Sequence, residues 1–511
     1  MKKMKKIMAL MLAAIMMMAM SVTTFAAETT RSLTVNAKGG QDLKGQTINL
    51  YKLFDVTESG EAPNKNYAYT VNTQYKATLA SVLGIGADSK DEEFAAKVTE
   101  LGKDNSTEVQ NFANTFTTKA LESKLAVTAT SGKITKDSNK TSYTFDNLTA
   151  GYYLVYVTGG KEIQSSLVTV DAPTNTVNLK TEAPSITKTA DKATAEIGQV
   201  VKYTVTGTIP DTTGYDQYQY IIHDTLSKGL DFVNDATGTA CEGNSVKVTV
   251  AFTDATDAST APTTATIDTN NSKKISLDLS AWVKASQTNK GKTFTVTYYA
   301  KVNKDAVVTE KNQAQLEYGN KPGDTTTTTP SEAKTNTYPL DINKIKKGSE
   351  EKLAGAKFRL YSSEADAKAN DESKAIKVSP VVAGVAGNYV VDPASTTTEF
   401  VSVENIDGKG YNLHVNGLAE GTYYLVETQA PEGFNKLTDP IKVTITKNGD
   451  TNWTVKKNDT VETDNIIDVE NSTGSLLPST GGRGAIAFAV IAALLVFGVA
   501  VSFIRDKRKE A

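Results

Sequence analysis

Leu418-Ala419-Glu420-Gly421-Thr422-Tyr423-Tyr424-Leu425-Val426 repeats, with one residue inserted, the earlier stretch Leu148-Thr149-Ala150-Gly151-Tyr152-Tyr153-Leu154-Val155. Upstream of each lies a second shared string, Leu43-x-Gly45-x4-Leu50-Tyr51 and Leu353-x-Gly355-x4-Leu360-Tyr361. Aromatic and β-branched residues bounded by glycine turns have the composition of strands. Two such strings in the same order mean that one supersecondary unit is used twice.

Working outward, Ser32-Leu33-Thr34-Val35 alternates as a strand does, and residues 46–54, 141–145, 151–157 and 165–170 continue the pattern. Between them, residues 73–123 carry Ala, Lys, Glu and Leu at helical spacing, strongest over 91–101 and 108–121. From 184 to 336 the pattern is β throughout, at 200–206, 229–233, 245–252, 274–279, 293–302 and 314–318. The threonine-rich run 324–330 reads as a loop or connection. Residues 337–474 return to strands with glycine-rich turns. Short strands at regular spacing predict an all-β chain of three sandwiches in tandem, 27–183, 184–336 and 337–474, the first with a helical insertion.

The chain has 511 residues, enough for about three domains between two unusual ends. Lys2, Lys3, Lys5 and Lys6 precede the apolar stretch 7–20, and Thr24-Phe25-Ala26 offers small residues for cleavage before Ala27. This predicts a secretory leader over 1–26. At the other end, Leu477-Pro478-Ser479-Thr480-Gly481 precedes the uncharged apolar run 485–504 and then Arg505-Asp506-Lys507-Arg508-Lys509. That run is long enough to span a bilayer, with the basic tail held on the cytoplasmic side.

The formal charge is −3. Without the four leader lysines and the five basic and two acidic residues beyond Thr480, 46 basic face 56 acidic residues, a net −10. Such a surface argues against nucleic-acid partners. Cys241 is the single cysteine, so no internal disulfide can form. Only His223 and His414 are available as histidine ligands, so no metal or cofactor is expected, and His223 beside Asp224 reads as incidental.

The array over 475–511 resembles the cell-wall sorting signal of Gram-positive surface proteins. That resemblance implies cutting between Thr480 and Gly481 by a membrane transpeptidase, sortase, and transfer of the Thr480 carbonyl to an amine. It also implies a transient membrane anchor and a final cell-wall location.

Tyr424-Leu425-Val426-Glu427-Thr428-Gln429-Ala430-Pro431-Glu432-Gly433-Phe434 is similar to the E-box of CnaB-type immunoglobulin-like domains. Lys344 in Leu340-Asp341-Ile342-Asn343-Lys344 and Asn471 after Val469-Glu470 match that family's first-strand lysine and last-strand asparagine. The resemblance implies a spontaneous isopeptide bond with Lys344 as nucleophile, Asn471 as electrophile and Glu427 as catalyst. Asn465 is the competing acceptor. Burial would favour the neutral amine and the protonated carboxyl that this chemistry needs.

The middle region offers a similar set. Lys188 in Pro184-Ser185-Ile186-Thr187-Lys188, Asp224 in Ile222-His223-Asp224 and Asn312 before Gln313 resemble the trio of the middle domain in pilus shaft proteins (CnaA/CnaB-type). In the first region the positions corresponding to Lys344 and Glu427 read as Thr34 and Tyr156, so this link should be absent there. Each bond forms once without an external substrate, so the chain is not expected to be an enzyme.

Over nearly its whole length the chain resembles the major (backbone) pilins of sortase-assembled Gram-positive pili. In those, a lysine closing the first domain attacks the sortase acyl-enzyme. Lys180 in Val177-Asn178-Leu179-Lys180-Thr181-Glu182 holds that place, with Asn-Leu-Lys where the family has Tyr-Pro-Lys; Lys161 and Lys192 are rivals. The implied partners are a pilus sortase, further copies of this chain, accessory pilins and peptidoglycan. A host receptor has no signature here. The alternative is a monomeric wall-anchored adhesin or minor pilin, and a wall-anchored hydrolase lacks any convergent acid, base or nucleophile motif.

Overall fold

The computed structural model describes residues 30–60, 66–102, 107–254, 260–319, 325–474 and 492–496. The leader 1–26 and Leu477–Gly481 lie outside the described residues, and of the run 485–504 only 492–496 are described, as helix. Among the described residues no helix is long and apolar enough to cross a membrane. The chain divides into two compact units, Met1–Thr337 and Tyr338–Ala511.

The first unit holds two sandwiches. In the first, Arg31–Asn36 lies between Ser142–Leu148, to which it is antiparallel, and Thr174–Asn178, to which it is parallel. The second sheet runs Asn66–Val71, Thr47–Ser59, Gly151–Val157, Ser166–Val170, with Ala129–Lys133 also on Thr47–Ser59. Leu33, Val35 and Phe145 pack between the sheets against Ile48, Leu50, Tyr153 and Val155.

The other face of the second sheet is also buried. Helices Lys76–Leu83, Asp91–Leu101 and Thr107–Glu122 cover it, bringing Leu79, Phe94, Phe112 and Phe116 onto Tyr51, Phe54, Tyr152 and Leu154. Phe112, Phe116 and Ala120 recur every four residues and form one apolar stripe on the last of these helices. Gly151–Val157 is therefore buried at every residue, the signature of a strand covered on both sides.

In the second sandwich one sheet runs Leu230–Val233, Thr293–Val302, Val200–Thr208, Thr187–Ala190. The other has Gln219–Leu226 at its centre between Asn271–Asp278 and Thr309–Gly319. Along Thr293–Val302 buried residues alternate with half-buried or exposed ones, which leaves one face for the core. The threonine-rich run is not a free loop: Thr326–Thr327 pairs with Thr309–Gly319 and sits against the first sandwich. Lys133 Nζ donates to Thr325 O at 3.2 Å. Gly45 (φ 80°) leaves room for Thr326, since a Cβ there would lie 2.4 Å from the threonine Cβ.

The second unit is one sandwich. Its first sheet runs Val378–Pro380, Asn388–Val391, Leu413–Leu418, Tyr338–Lys346, Ile466–Asn471. Its second is centred on Lys357–Tyr361, Gly421–Gln429 and Ile441–Lys447. Tyr338–Lys346 and Ile466–Asn471, the first and last strands, are parallel neighbours.

Strand register corrects two equivalences of the repeat. The Tyr153 hydroxyl donates to Thr149 O at 2.9 Å, as the Tyr423 hydroxyl does to Ala419 O at 3.0 Å, so these tyrosines correspond and no residue is inserted. Ile48 opposes Val157 just as Phe358 opposes Glu427, so Val157, not Tyr156, takes the glutamate's place. Leu33 opposes Phe145 as Leu340 opposes Val415, which puts Ala37, not Thr34, at the place of Lys344. The connection from this point to Leu43 is three residues shorter than its counterpart ending at Leu353, and that shortening shifts the alignment.

Candidate functional site

The second unit brings Lys344, Glu427 and Asn471 together in its core. Lys344 and Asn471 stand on the paired parallel strands, with Lys344 opposite Val469 and Lys346 opposite Asn471. Side chains two residues apart share a face, so Lys344 and Asn471 point the same way. Glu427 comes from the facing sheet. All three are buried.

Lys344 Nζ lies 4.0 Å from Glu427 Oε1 and donates to Val469 O at 2.9 Å. Glu427 Oε2 accepts from Asn471 Nδ2 at 2.9 Å and from Leu437 N at 2.8 Å. Glu427 Oε1 and Asn471 Oδ1 are buried with no hydrogen-bond partner. Burial pulls the Lys344 ammonium down to about 8, against the opposing pull of Glu427 and Glu470. A buried amine that gives up its proton this readily is a competent nucleophile near neutral pH.

Asn412 places this lysine. Beyond Ile342 the neighbouring strand no longer pairs with Tyr338–Lys346. There the buried Asn412 side chain takes over, accepting from Lys344 N at 2.6 Å and donating to Lys344 O at 3.1 Å. Nothing in the local sequence marks Asn412, because its role depends on where a strand pair ends. Asn465 is elsewhere: its side chain accepts from Val455 N and donates to Trp453 O, fixing a turn at φ 62°.

The middle sandwich assembles a similar set of side chains differently. Lys188, on the edge strand Thr187–Ala190, reaches across the core to Asp224 on the facing sheet, which also carries Asn312. Asp224 opposes Ala314 while Leu226 opposes Asn312, so the aspartate and asparagine are diagonal neighbours on one face. Lys188 Nζ is 2.5 Å from Asp224 Oδ2 and sits over the Tyr203 and Tyr298 rings, 4.8 and 4.6 Å from their centroids. The Tyr298 hydroxyl contacts both Lys188 Nζ and Asp224 Oδ2. Asn312 lies beside Asp224 and Tyr298 without a hydrogen bond of normal geometry to either.

Burial raises the Asp224 carboxyl and lowers the Lys188 ammonium, each against the attraction of the other. Both shifts favour the neutral acid and neutral amine over the ion pair.

Among the described residues the first sandwich has no such set. Ala37 and Val157 occupy the lysine and glutamate positions, and Thr34 lies outside the core, its hydroxyl bonded to that of Thr144. Lys180 is exposed just past the last strand, with Nζ donating to Gln110 Oε1 at 3.2 Å. An open groove of about 490 Å³ runs beside it, lined by Lys38, Lys161, Gln164, Leu179, Glu182 and others. Lys38 holds the Glu182 carboxyl below its ordinary range, with a smaller pull from Lys161. Lys161 is half-buried and 4.0 Å from Glu182, and Lys192 is tied to Val200 O at 2.6 Å, whereas Lys180 stands exposed at the domain's end.

Comparison with known proteins finds matches to two family models. Residues 197–322 match the family described as Gram-positive pilin backbone subunit 2, Cna-B-like domain, and residues 339–460 match the SpaA prealbumin-like fold domain. The fimbrial subunit type 1 of Actinomyces viscosus is 32% identical over 169 residues, which are 31% of this chain and 29% of that protein. The match thus spans under a third of the relative's length. Among solved structures, the T6 backbone pilin of Streptococcus pyogenes serotype M6 is 16% identical with a TM-score of 0.43, covering 88% of this chain and all of that one. The Corynebacterium diphtheriae major pilin SpaA is 19% identical with a TM-score of 0.42, covering 87% of this chain and all of that one. The two family models thus each match one sandwich of this chain, the Gram-positive pilin-backbone Cna-B-like model the middle one and the SpaA prealbumin-like model the last.

Proposed function

We propose that this chain is the backbone subunit of a covalently polymerised Gram-positive surface pilus. Sortase joins subunits head to tail, forming an amide between the Thr480 carbonyl of one copy and Lys180 of the next. Intramolecular Lys344–Asn471 and Lys188–Asn312 isopeptide bonds stiffen the subunit. The observation that carries this reading is the pair of buried lysine, acid and asparagine trios in two successive domains of pilin families.

The polymer is tested on denaturing gels of wall extracts from cells expressing wild type or Lys180→Ala. We expect a high-mass ladder in wild type that disappears in the variant. A ladder in both would move the linkage to another lysine. A single wall-linked monomer in both would sink the shaft reading and leave an adhesin or minor pilin.

The depressed Lys344 gives a second expectation. In an Asn471→Ala variant, which cannot form the bond, the unfolded chain binds more protons than the folded one between about pH 8 and the lysine's ordinary value of 10.5. Stability therefore rises with pH across that window, by on the order of 2–3 kcal/mol. Urea unfolding at pH 7.5 and 10, set against the same variant carrying Lys344→Met, measures it. Equal pH slopes for the two would show that Lys344 is not buried as a free amine.

A further inference from the structure

The Lys188 site contains one hydroxyl that the lysine, aspartate and asparagine trio does not account for. Tyr298 projects from the centre of Thr293–Val302 into the core, on the same sheet as Lys188 and facing Asp224. Its hydroxyl oxygen accepts from Lys188 Nζ, and its proton goes to Asp224 Oδ2. Asp224 Oδ2 also accepts from Lys188 Nζ. Asp224 Oδ1 is buried without a partner, and so are both side-chain atoms of the adjacent Asn312.

We propose that Tyr298 is a catalytic residue of Lys188–Asn312 bond formation, its hydroxyl setting where the lysine lone pair faces and which Asp224 oxygen carries the proton. The inference rests on the isopeptide reading above. A neutral amine has two N–H bonds and one lone pair. Here the Tyr298 oxygen and Asp224 Oδ2 take the two N–H bonds, which leaves the lone pair for Asn312 Cγ. Asp224 Oδ2 already accepts from two donors, so the carboxyl proton belongs on Oδ1, beside the amide it has to polarise.

The step balances. The Lys188 ammonium first gives one proton to Asp224, leaving amine and acid. Nζ then bonds to Asn312 Cγ, and the carbonyl π pair moves to the amide oxygen under the Asp224 Oδ1 proton. On collapse the surplus Nζ proton passes to the Tyr298 oxygen, the Tyr298 proton to Asp224 Oδ2, and the Oδ1 proton to Nδ2. The Cγ–Nδ2 bond breaks and ammonia leaves. Tyrosine and aspartic acid end neutral and the new amide joins Lys188 to Asn312. Burial, with the adjacent Asp224 charge, raises the tyrosine far above its ordinary value, so it serves as a neutral relay and not as a phenolate base.

The neighbouring Tyr203 supplies a matched control. Its ring packs beside Tyr298 with centroids 6.0 Å apart, but no hydrogen bond joins its hydroxyl to Lys188 Nζ. Full-length chains of wild type, Tyr298→Phe, Tyr203→Phe and Asp224→Ala are synthesised in a pulse, sampled over time and digested with trypsin. Mass spectrometry follows the branched peptide through Lys188 and Asn312, lighter by one ammonia than its parts. The Lys344–Asn471 peptide is the clock in every sample.

We expect Tyr298→Phe to slow the Lys188–Asn312 peptide by about a hundredfold or more, Tyr203→Phe to leave its rate unchanged, and Asp224→Ala to abolish it. Wild-type kinetics in Tyr298→Phe, or equal slowing in both phenylalanine variants, overturns the role of Tyr298 and leaves the bond itself standing. No branched peptide in wild type overturns the bond and the tyrosine role together.

Discussion

Glu427→Ala is expected to leave Lys344 and Asn471 unjoined, and the third domain should lose about 4–5 kcal/mol of stability as a result. The argument is chemical first. With the carboxyl gone, the remaining hydrogen-bond partners of Lys344 Nζ and Asn471 Nδ2 are the backbone carbonyls of Val469 and Asn435, which can neither take the lysine proton nor polarise the asparagine amide. The intact mass should then exceed that of wild type, after correction for the substitution, by one ammonia. The stability change follows from the closed loop. Lys344 and Asn471 bracket about 130 residues, and the chain-entropy model used for disulfides gives about 4–5 kcal/mol for such a closure. Leaving Leu437 N without its acceptor adds roughly 1–3 kcal/mol. For a domain of this size the thermal midpoint should fall by on the order of 10–20 °C, readable by calorimetry. A variant with the wild-type mass deficit would show that Glu427 is dispensable.

Lys188→Met in the middle domain is expected to cost more than Asn312→Ala. Both variants would lose the proposed link, which closes about 125 residues and is worth about 4–5 kcal/mol by the same model. Asn312→Ala keeps the contact between Lys188 and Asp224. Lys188→Met removes it and leaves Asp224 Oδ2 to the Tyr298 hydroxyl. A buried polar group that loses a partner costs roughly 1–3 kcal/mol more. Methionine fills the lysine's path between Tyr203 and Tyr298, so the difference reports the lost polar contact and not a cavity. Denaturant unfolding of the two variants side by side measures it. Equal destabilisation would mean that Asp224 finds another partner once Lys188 is gone.

Much of this arrangement is legible in the sequence because motif and burial coincide. The string from Tyr424 to Phe434 places Glu427 on a strand whose alternate residues face the core. The same alternation puts Lys188 and Asp224 inside, where each buried polar group needs the other as a partner. The helical insertion is equally plain from its spacing. Its function as a second cover is signalled by the uninterrupted apolar run Gly151–Val157.

Alignment of the two repeats is where the sequence misleads. Two adjacent tyrosines in each copy invite a gap, and the shared hydrogen bond four residues upstream shows which tyrosine matches which. Tyr298 and Asn412 are invisible for a related reason. Tyr298 reads as an ordinary core aromatic in an alternating strand, and Asn412 acts only because a strand pair stops at Ile342.

The corrected register carries a mechanical consequence. In the proposed polymer each subunit is held at Lys180 and at Thr480, so tension enters the chain after the last strand of the first sandwich. The covalent load path from Lys180 runs onward through the middle and third domains, and residues 30–179 hang from it as an unloaded branch. Stretching would be resisted by two domains that each carry a lysine, an acid and an asparagine at the core. The sandwich with Ala37 and Val157 in those places would bear no tension in that polymer. A domain free of load can rely on its double-sided apolar sheet alone, and its surface is free to vary without weakening the fibre.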